Sequence, residues 1–341
     1  MKNRKYKILV SAPLDFIPDL KDKIGLEMSV VYGYGADKEK TRRLLQDNDF
    51  DAWMVSPCPT YRVDKEMIDP CLSLKVISSP STGSDHIDVD YAKSKGIMVY
   101  ALKGTREVEE IYASSEYTFT LLASAIRRLP QAYKAALEGK WRESESRFRG
   151  RELHGLALGI VGLGRIGANL AKYALAFGMN VLAYDPYKRA EDARIEQTDS
   201  LDELLSKIDA LAVCVHLNKE TYKMIDDRIF AKLKNGVYFI NTSRGDVVDE
   251  EALLKYLENG KIGVAALDVT SGEITNDKNM HPLIKYARTH DNLIITPHIG
   301  GLTFDSERKA QTAAYEAIKK YLTEKGEGDA IHSGNRIKSQ R

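Results

Sequence analysis

Residues 158–185 read LGIVGLGRIGANLAKYALAFGMNVLAYD, and their order decides the fold: an apolar strand, a glycine turn, a helix, a second strand and a terminal acid. Leu158 to Val161 is the short apolar run, and Gly162, Gly164 and Gly167 follow it in the G-x-G-x-x-G spacing that opens a helix after a parallel strand. Each glycine has its own reason. Gly162 permits the tight turn, Gly164 has no Cβ to block an anion on the helix N-terminus, and Gly167 lets the helix pack closely on the sheet. Backbone N–H groups of Leu163, Arg165 and Ile166, aided by the helix dipole, complete an anion site suited to a pyrophosphate. Asp185 stands eighteen residues after Gly167, at the end of Val181 to Tyr184. There its carboxylate can accept hydrogen bonds from both hydroxyls of an adenosine ribose, and a 2′-phosphate would meet like charge. The stretch therefore points to NAD rather than NADP, with Lys188 and Arg189 weighing the other way.

The chain has 341 residues, 43% hydrophobic and 29% charged, enough for two domains with real cores. Its formal net charge of +1 offers no broad field for nucleic acid or an anionic membrane, so neither partner is expected. No apolar run is long enough for a membrane span, and the opening MKNRKYKILVSAPLDF is too weakly apolar for a secretory signal. A cytoplasmic location is the expectation. Cys58, Cys71 and Cys214 show no paired spacing, and His154, His281, His290 and His332 do not cluster, so neither disulfides nor a metal site is expected.

Before the glycine motif, Lys7 to Val10, Ser29 to Tyr32, Ala52 to Val55, Lys75 to Ser78 and Ile97 to Tyr100 read as strands. Helices fit Thr41 to Asp47, Lys65 to Cys71 and Val89 to Lys95, which makes a parallel α/β pattern. Val108 to Leu129 reads as one long helix crossing between domains and stopped by Pro130, followed by an exposed polar connection over 131–154. A second series of strands runs through Val181 to Tyr184, Ala210 to Val215, Val237 to Asn241, Gly263 to Leu267 and Leu293 to Thr296. The helix Ser306 to Leu322 then returns to the first domain. The expected fold is α/β, with two doubly wound parallel-sheet domains and a Rossmann nucleotide-binding domain inserted in a discontinuous flavodoxin-like one. Boundaries are placed at 1–105 plus 300–330 for a substrate-binding domain, 106–299 for the nucleotide domain and 331–341 for a tail. A small substrate would then bind in the cleft between domains.

Three residues fall at the expected C-terminal ends of late strands, where open α/β sheets hold ligands: Arg244 in NTSRGDVVD, Glu273 in LDVTSGEI and His298 in ITPHIGG. A carbonyl next to a carboxylate needs a cation to grip and polarise it, and a proton donor for the new hydroxyl. The planar fork of Arg244 suits the first task. His298 suits the second, because imidazole exchanges protons near neutrality. A carboxylate such as Glu273 beside it would stabilise the imidazolium form. Taken singly, the three could equally be a loop cation, a turn acid and a polar residue before a helix.

Their order and their spacings of twenty-nine and twenty-five residues resemble the D-isomer-specific 2-hydroxyacid dehydrogenase family, over roughly residues 50–325. NTSRG at 241–245, LDV at 267–269 and TPHIGG at 296–301 are similar to the family's catalytic-arginine, nicotinamide-side and histidine segments. The resemblance implies the roles derived above for Arg244, Glu273 and His298. It further implies that Asp268 binds the nicotinamide carboxamide, that Thr242 and His216 line the cofactor, and that Thr82 and Gly83, in STGSDHIDVDYAKSKGIMV, offer backbone N–H groups to the substrate carboxylate. His86 in that segment reads as structural. Two departures stand out: Asn218 where the family usually has proline, and Tyr117 where histidine is common.

The implied activity is NAD-dependent interconversion of a D-2-hydroxy acid and its 2-oxo acid. LDVTSGEITND is similar to the phosphoglycerate dehydrogenase branch, but SPCPTYR at 56–62 offers only Arg62 for a phosphate, and the chain ends near its last helix, with no room expected for a regulatory domain. A phosphorylated substrate and an unphosphorylated one of the hydroxypyruvate or glyoxylate type both stay open, with Lys103 and Arg106 as further cations. The alternative from another class is an NAD(H)-sensing, corepressor-like binding protein of the same fold. A homodimer through the nucleotide domains and the helix over 108–129 is also implied.

Overall fold

A computed structural model describes residues 5–274 and 277–324. The expected tail at 331–341 lies outside the described residues. Contacts divide the chain into two compact units, one running to Ile111 and resuming at Thr303, the other Tyr112–Leu302.

In the first unit β1 (Lys7–Val10), α1 (Pro18–Glu27), β2 (Ser29–Tyr32), α2 (Lys38–Gln46) and β3 (Ala52–Met54) are followed by α3 (Lys65–Ile68), β4 (Val76–Ser79), α4 (Val89–Ser94), β5 (Met98–Ala101) and α5 (Arg106–Glu109). Five parallel strands take the order β2-β1-β3-β4-β5, the flavodoxin-like order. Both faces are covered. Ile8 and Val10 pack under α1 and the last helix, while Leu9 and Trp53 pack under α2 and α3. Alternate residues of one strand thus reach two cores, which is why these strands read as continuous apolar runs.

The second unit opens with α6 (Ala113–Ile126) and α7 (Leu129–Leu137), then continues through β6 (Ala157–Val161), α8 (Arg165–Ala176), β7 (Asn180–Tyr184), β8 (Glu196–Gln197), α9 (Leu201–Lys207) and β9 (Ala210–Val213). It is completed by α10 (Asp227–Lys232), β10 (Val237–Asn241), α11 (Glu250–Glu258), β11 (Ile262–Leu267), α12 (Pro282–Ala287) and β12 (Leu293–Ile295). Its seven parallel strands run β12-β11-β10-β9-β6-β7-β8, so β6 lies at the point where the order reverses, with β7 on one side and β9 on the other. That reversal is where a doubly wound sheet opens a crevice. The final helix, α13 (Phe304–Glu324), belongs to the first unit and buries Ala314, Tyr315, Ile318 and Leu322 there. Burying an Ile or Leu side chain contributes roughly 1.5–3 kcal/mol, so this return segment is a structural part of that unit.

The expected single helix over 108–129 is three pieces. The chain passes to the second unit at Ile111/Tyr112, ahead of α6, because Val108 and Ile111 are already buried against Ala310 and Ala313 of α13. Pro130 does not stop a helix but starts one: it occupies the first turn of α7, where a missing N–H costs nothing. The break comes from Arg128, at φ 52°, whose side chain donates from Nε to the Arg147 carbonyl at 2.8 Å. The connection over 131–154, expected to be exposed and polar, begins as helix and includes a 3-10 turn at Arg142–Arg147. Helix α1 gave no periodic signal and was not expected.

Candidate active site and cofactor cradle

The glycine turn joins β6 to α8. Gly162 has φ +96°, and a Cβ there would stand 2.7 Å from the Cys214 carbonyl oxygen. A Cβ on Gly167 would stand 2.0 Å from the Gly162 carbonyl oxygen, so these two glycines are required by the protein's own packing. Gly164 differs: it is the N-cap of α8, and a Cβ there would meet nothing within 4 Å. Its smallness serves no internal contact and leaves an open approach to the helix N-terminus. No side chain caps α8, so its first turn keeps an anion-binding character. The Cys214 thiol beside this turn is pushed up to about 12 by burial, which removes it as a nucleophile.

Asp185 directly follows β7 and ties the turn to its neighbour. Its Oδ2 accepts from Leu163 N–H at 2.7 Å, and its Oδ1 accepts from the N–H groups of Tyr187 at 2.8 Å and Lys188 at 3.0 Å. The N–H of Leu163, one of those expected at the anion site, links the glycine turn to Asp185 here. Arg165 and Ile166 lie in the first turn of α8. The half-buried carboxylate is preoriented at the crevice, in the place that suits a ribose. The open approach at Gly164, the uncapped first turn of α8 and this acid fit the hydrogen-bonding set a dinucleotide requires.

Three adjacent strands, β10, β11 and β12, end in the turns that carry the candidate catalytic groups. After β10, buried Asn241 organises NTSR: its Oδ1 accepts from Ser243 N–H at 3.0 Å and its Nδ2 donates to the Arg244 carbonyl at 2.9 Å. Arg244 is half-buried and donates from Nη1 to the Ser243 carbonyl at 2.8 Å. Thr242 and Thr118 hold their hydroxyls 2.6 Å apart, which ties this turn to α6. Sequence reasoning missed Asn241, whose signal was its place as the last, inward-facing polar residue of an apolar strand.

After β12, His298 adopts φ +56°, a left-handed conformation uncommon outside glycine. Its N–H donates to the Asp268 carbonyl at 2.9 Å. The buried Asp268 carboxylate secures the rest of the loop, accepting from Thr296 Oγ1 at 2.6 Å and Ile299 N–H at 3.0 Å on Oδ1, and from Gly300 N–H at 2.7 Å on Oδ2. Both oxygens of Asp268, the residue expected from the resemblance to hold a carboxamide, take part in fixing the histidine loop. This arrangement delivers His298 Nδ1 to Glu273 Oε1 at 2.7 Å, with both side chains about a quarter exposed at 29% and 25%. A carboxylate on Nδ1 fixes the tautomer and leaves Nε2 available for proton exchange.

The remaining expected residues are distributed as follows. Thr82 and Gly83 lie in the first unit, in a loop after β4 held by Ser81 Oγ donating to the Gly83 carbonyl at 2.7 Å. His86 is buried beside them, its Nε2 3.1 Å from Ser79 Oγ, in keeping with a structural role. His216 is exposed after β9. Asn218, standing where proline was the expectation, closes that turn itself by accepting from the N–H groups of Glu220 and Thr221 at 2.7 and 3.0 Å. Among the described residues no His/Cys/Asp/Glu group could hold a metal, and no helix is long and apolar enough to cross a membrane.

Fold and cradle define a two-unit α/β protein with a dinucleotide-binding second unit. Residues 119–300 match the model of the NAD-binding domain of the D-isomer specific 2-hydroxyacid dehydrogenases, and the chain belongs to that family. It is 36% identical over 321 residues to a D-3-phosphoglycerate dehydrogenase of Methanocaldococcus jannaschii, covering 93% of this chain and 57% of the relative. It is 34% identical to a hydroxypyruvate reductase of Thermotoga maritima, covering 93% and 99%. The chain thus spans little more than half of the phosphoglycerate dehydrogenase and nearly all of the reductase. A D-lactate dehydrogenase of Aquifex aeolicus, solved with NAD and lactic acid, superimposes with a TM-score of 0.79 at 32% identity, covering 95% of this chain and 100% of that one.

Proposed function

We infer that the chain is an NAD-dependent oxidoreductase interconverting a D-2-hydroxy acid and its 2-oxo acid. The carrying observation is the His298–Glu273 pair at 2.7 Å, held on a left-handed turn in the same unit as the glycine cradle. The nicotinamide, when bound, supplies or takes up the hydride. Arg244 binds the substrate carboxylate and polarises the carbonyl oxygen, which gains negative charge as it is reduced. His298 delivers a proton from Nε2 to that oxygen, and removes it in the reverse direction. Glu273 holds the ring and balances its charge while it carries both protons.

The relatives named for 3-phosphoglycerate and for hydroxypyruvate define the substrate range to test. NADH oxidation by the purified protein with 3-phosphohydroxypyruvate, hydroxypyruvate, glyoxylate, pyruvate and branched 2-oxo acids is the experiment. Turnover of one of them, abolished in H298A and lost with weakened substrate binding in R244A, supports the reading. NADH binding without turnover of any 2-oxo acid refutes it in favour of a sensing protein.

A homodimer is part of this proposal. Helix α7 exposes Leu129, Tyr133 and Leu137 at four-residue spacing, and Trp141 just beyond its end is exposed as well, each 58–72% accessible. Such an apolar stripe suits a second copy of the chain. It begins at Leu129, the last residue of the segment 108–129, which the resemblance, together with the nucleotide domains, implied for the contact. A cytoplasmic location rests on the three free thiols, of which Cys58 is exposed.

A further inference from the structure

We propose that Glu250 and His281 are positioning residues for this reaction, a buried pair that tethers the chain carrying Glu273 and so holds Glu273 against His298. Glu250 opens α11, directly after the capping residue Asp249, whose Oδ1 accepts from Glu251 and Ala252 N–H at 3.2 Å. The segment leading to it is rigid, because Ile225 and Val247–Asp249 exchange backbone hydrogen bonds at 3.1 and 2.9 Å. From this base the Glu250 carboxylate reaches two other stretches of chain. Its Oε1 accepts from Ser271 N–H at 2.8 Å, and its Oε2 lies 3.1 Å from His281 Nε2.

Ser271 stands two residues before Glu273, and His281 is where the chain returns to begin α12. One carboxylate thus joins the departure and the return of the chain that presents Glu273. Gly245 presses on the same place: a Cβ there would come within 2.0 Å of the Thr270 carbonyl carbon and 2.1 Å of Ser271 N. The Arg244 turn and the Glu273 turn are therefore in backbone contact, locked by Glu250 on one side.

This arrangement is built at a cost that a surface tether would not carry. His281 is only 6% exposed and the Glu250 side chain 14%. The Nδ1 of His281 is buried with no hydrogen-bond partner, so the ring is held by the Nε2 contact alone. Burial pushes the Glu250 carboxyl above its usual range, with Asp246 adding in the same direction, while Ser271 N–H and His281 oppose it. A buried acid and a half-satisfied imidazole are an expensive way to fill space. Their return is the fixed position of Ser271, and through it the 2.7 Å contact between Glu273 and His298.

The proposal rests on the dehydrogenase reading, so its test has one readout that does not. In E250A both tethers go; in H281L the donor goes and the volume stays; in H281Q an amide N–H returns at the place of Nε2. E250A and H281L should lose kcat by about tenfold to a hundredfold, the scale on which small misplacements of catalytic groups act, with NADH affinity unchanged. The pH profile of kcat should move as well, since Glu273 no longer balances His298, and H281Q should restore both. Hydrogen exchange at the Ser271 amide, followed by mass spectrometry on the full chain, should accelerate in H281L and return in H281Q. A folded H281L with parental kcat and pH profile overturns the proposal, as does an H281Q no better than H281L. If E250A does not fold, the H281L and H281Q pair still decides. If the parent reduces no 2-oxo acid the functional reading fails instead, and unchanged exchange at Ser271 in H281L would then overturn the tether.

Discussion

Replacing Gly164 with alanine separates what the glycine turn does for the fold from what it does for a ligand. An alanine Cβ at 164 has no neighbour within 4 Å, and the backbone there, φ −66° and ψ −173°, is open to any residue. Restricting the unfolded chain stabilises by about 0.4–1 kcal/mol, and losing glycine at an N-cap costs a few tenths up to about 1 kcal/mol, so the two nearly cancel. G164A should therefore melt close to the parent. G167A should not, because its Cβ would lie 2.0 Å from the Gly162 carbonyl oxygen, a backbone atom that cannot step aside. Binding should follow the opposite ranking among folded variants. Hydrogen bonds from backbone N–H groups to a charged ligand contribute about 1.5–3 kcal/mol each. A methyl that keeps the anion from one of them weakens NADH by about tenfold to a hundredfold. Differential scanning fluorimetry and NADH fluorescence titration measure the two quantities on the same samples. A G164A protein that binds NADH within about twofold of the parent would show that the open approach at Gly164 is not where the ligand lies.

Asp185→Ser should relax discrimination against NADP by removing negative charge from the ribose position, and an unchanged ratio of NADH to NADPH turnover would refute that role. Tyr315→Phe tests α13: the buried Tyr315 hydroxyl donates to Glu27 Oε2 at 2.5 Å, and this bond, with Lys319, holds the Glu27 carboxyl below its usual range. A lowered folded value means stability that is present above the unfolded carboxyl range and lost as pH falls through the folded value. Y315F should then cost about 1 kcal/mol at neutral pH, with the gap to the parent narrowing in acid, and a gap independent of pH would rule out the Glu27 contact as its source. Leu137→Glu, on the exposed face of α7, should turn a dimer into a monomer in sedimentation analysis, and an unaltered mass would place the contact elsewhere.

Much of this architecture is legible in the sequence because the strands are buried on both faces. Leu211 and Val213 serve one core and Ala210 and Ala212 the other, so the whole of β9 is apolar and cannot be mistaken for a surface strand. The glycine turn is legible for a different reason: two of its three glycines answer to hard contacts with the protein's own backbone. Helix boundaries around 108–137 were not legible. Pro130 is compatible with stopping one helix or starting another, and what decides is Arg128, which takes a left-handed turn that no local rule assigns to arginine. Glu250 and His281 were equally hidden, since an acid after an N-cap and a histidine before a proline each have an ordinary local explanation.

His298 shows most clearly where local reading ends. TPHIGG marks a turn, and nothing within it explains how a histidine stays at φ +56°. The force that holds it comes from another strand, through the Asp268 carbonyl on His298 N–H and the Asp268 carboxylate on Thr296, Ile299 and Gly300. Gly300 is small for the same reason, since a Cβ there would lie 3.0 Å from Asp268 Oδ2. The left-handed turn costs on the order of 1–3 kcal/mol, and hydrogen bonds to a buried carboxylate at about 1.5–3 kcal/mol each are enough to impose it. Strain is thus held locally at His298 and offset by a buried acid one strand away. That division accounts for the three hydrogen bonds Asp268 accepts from the loop, and for how His298 can stand partly exposed without losing its aim at Glu273.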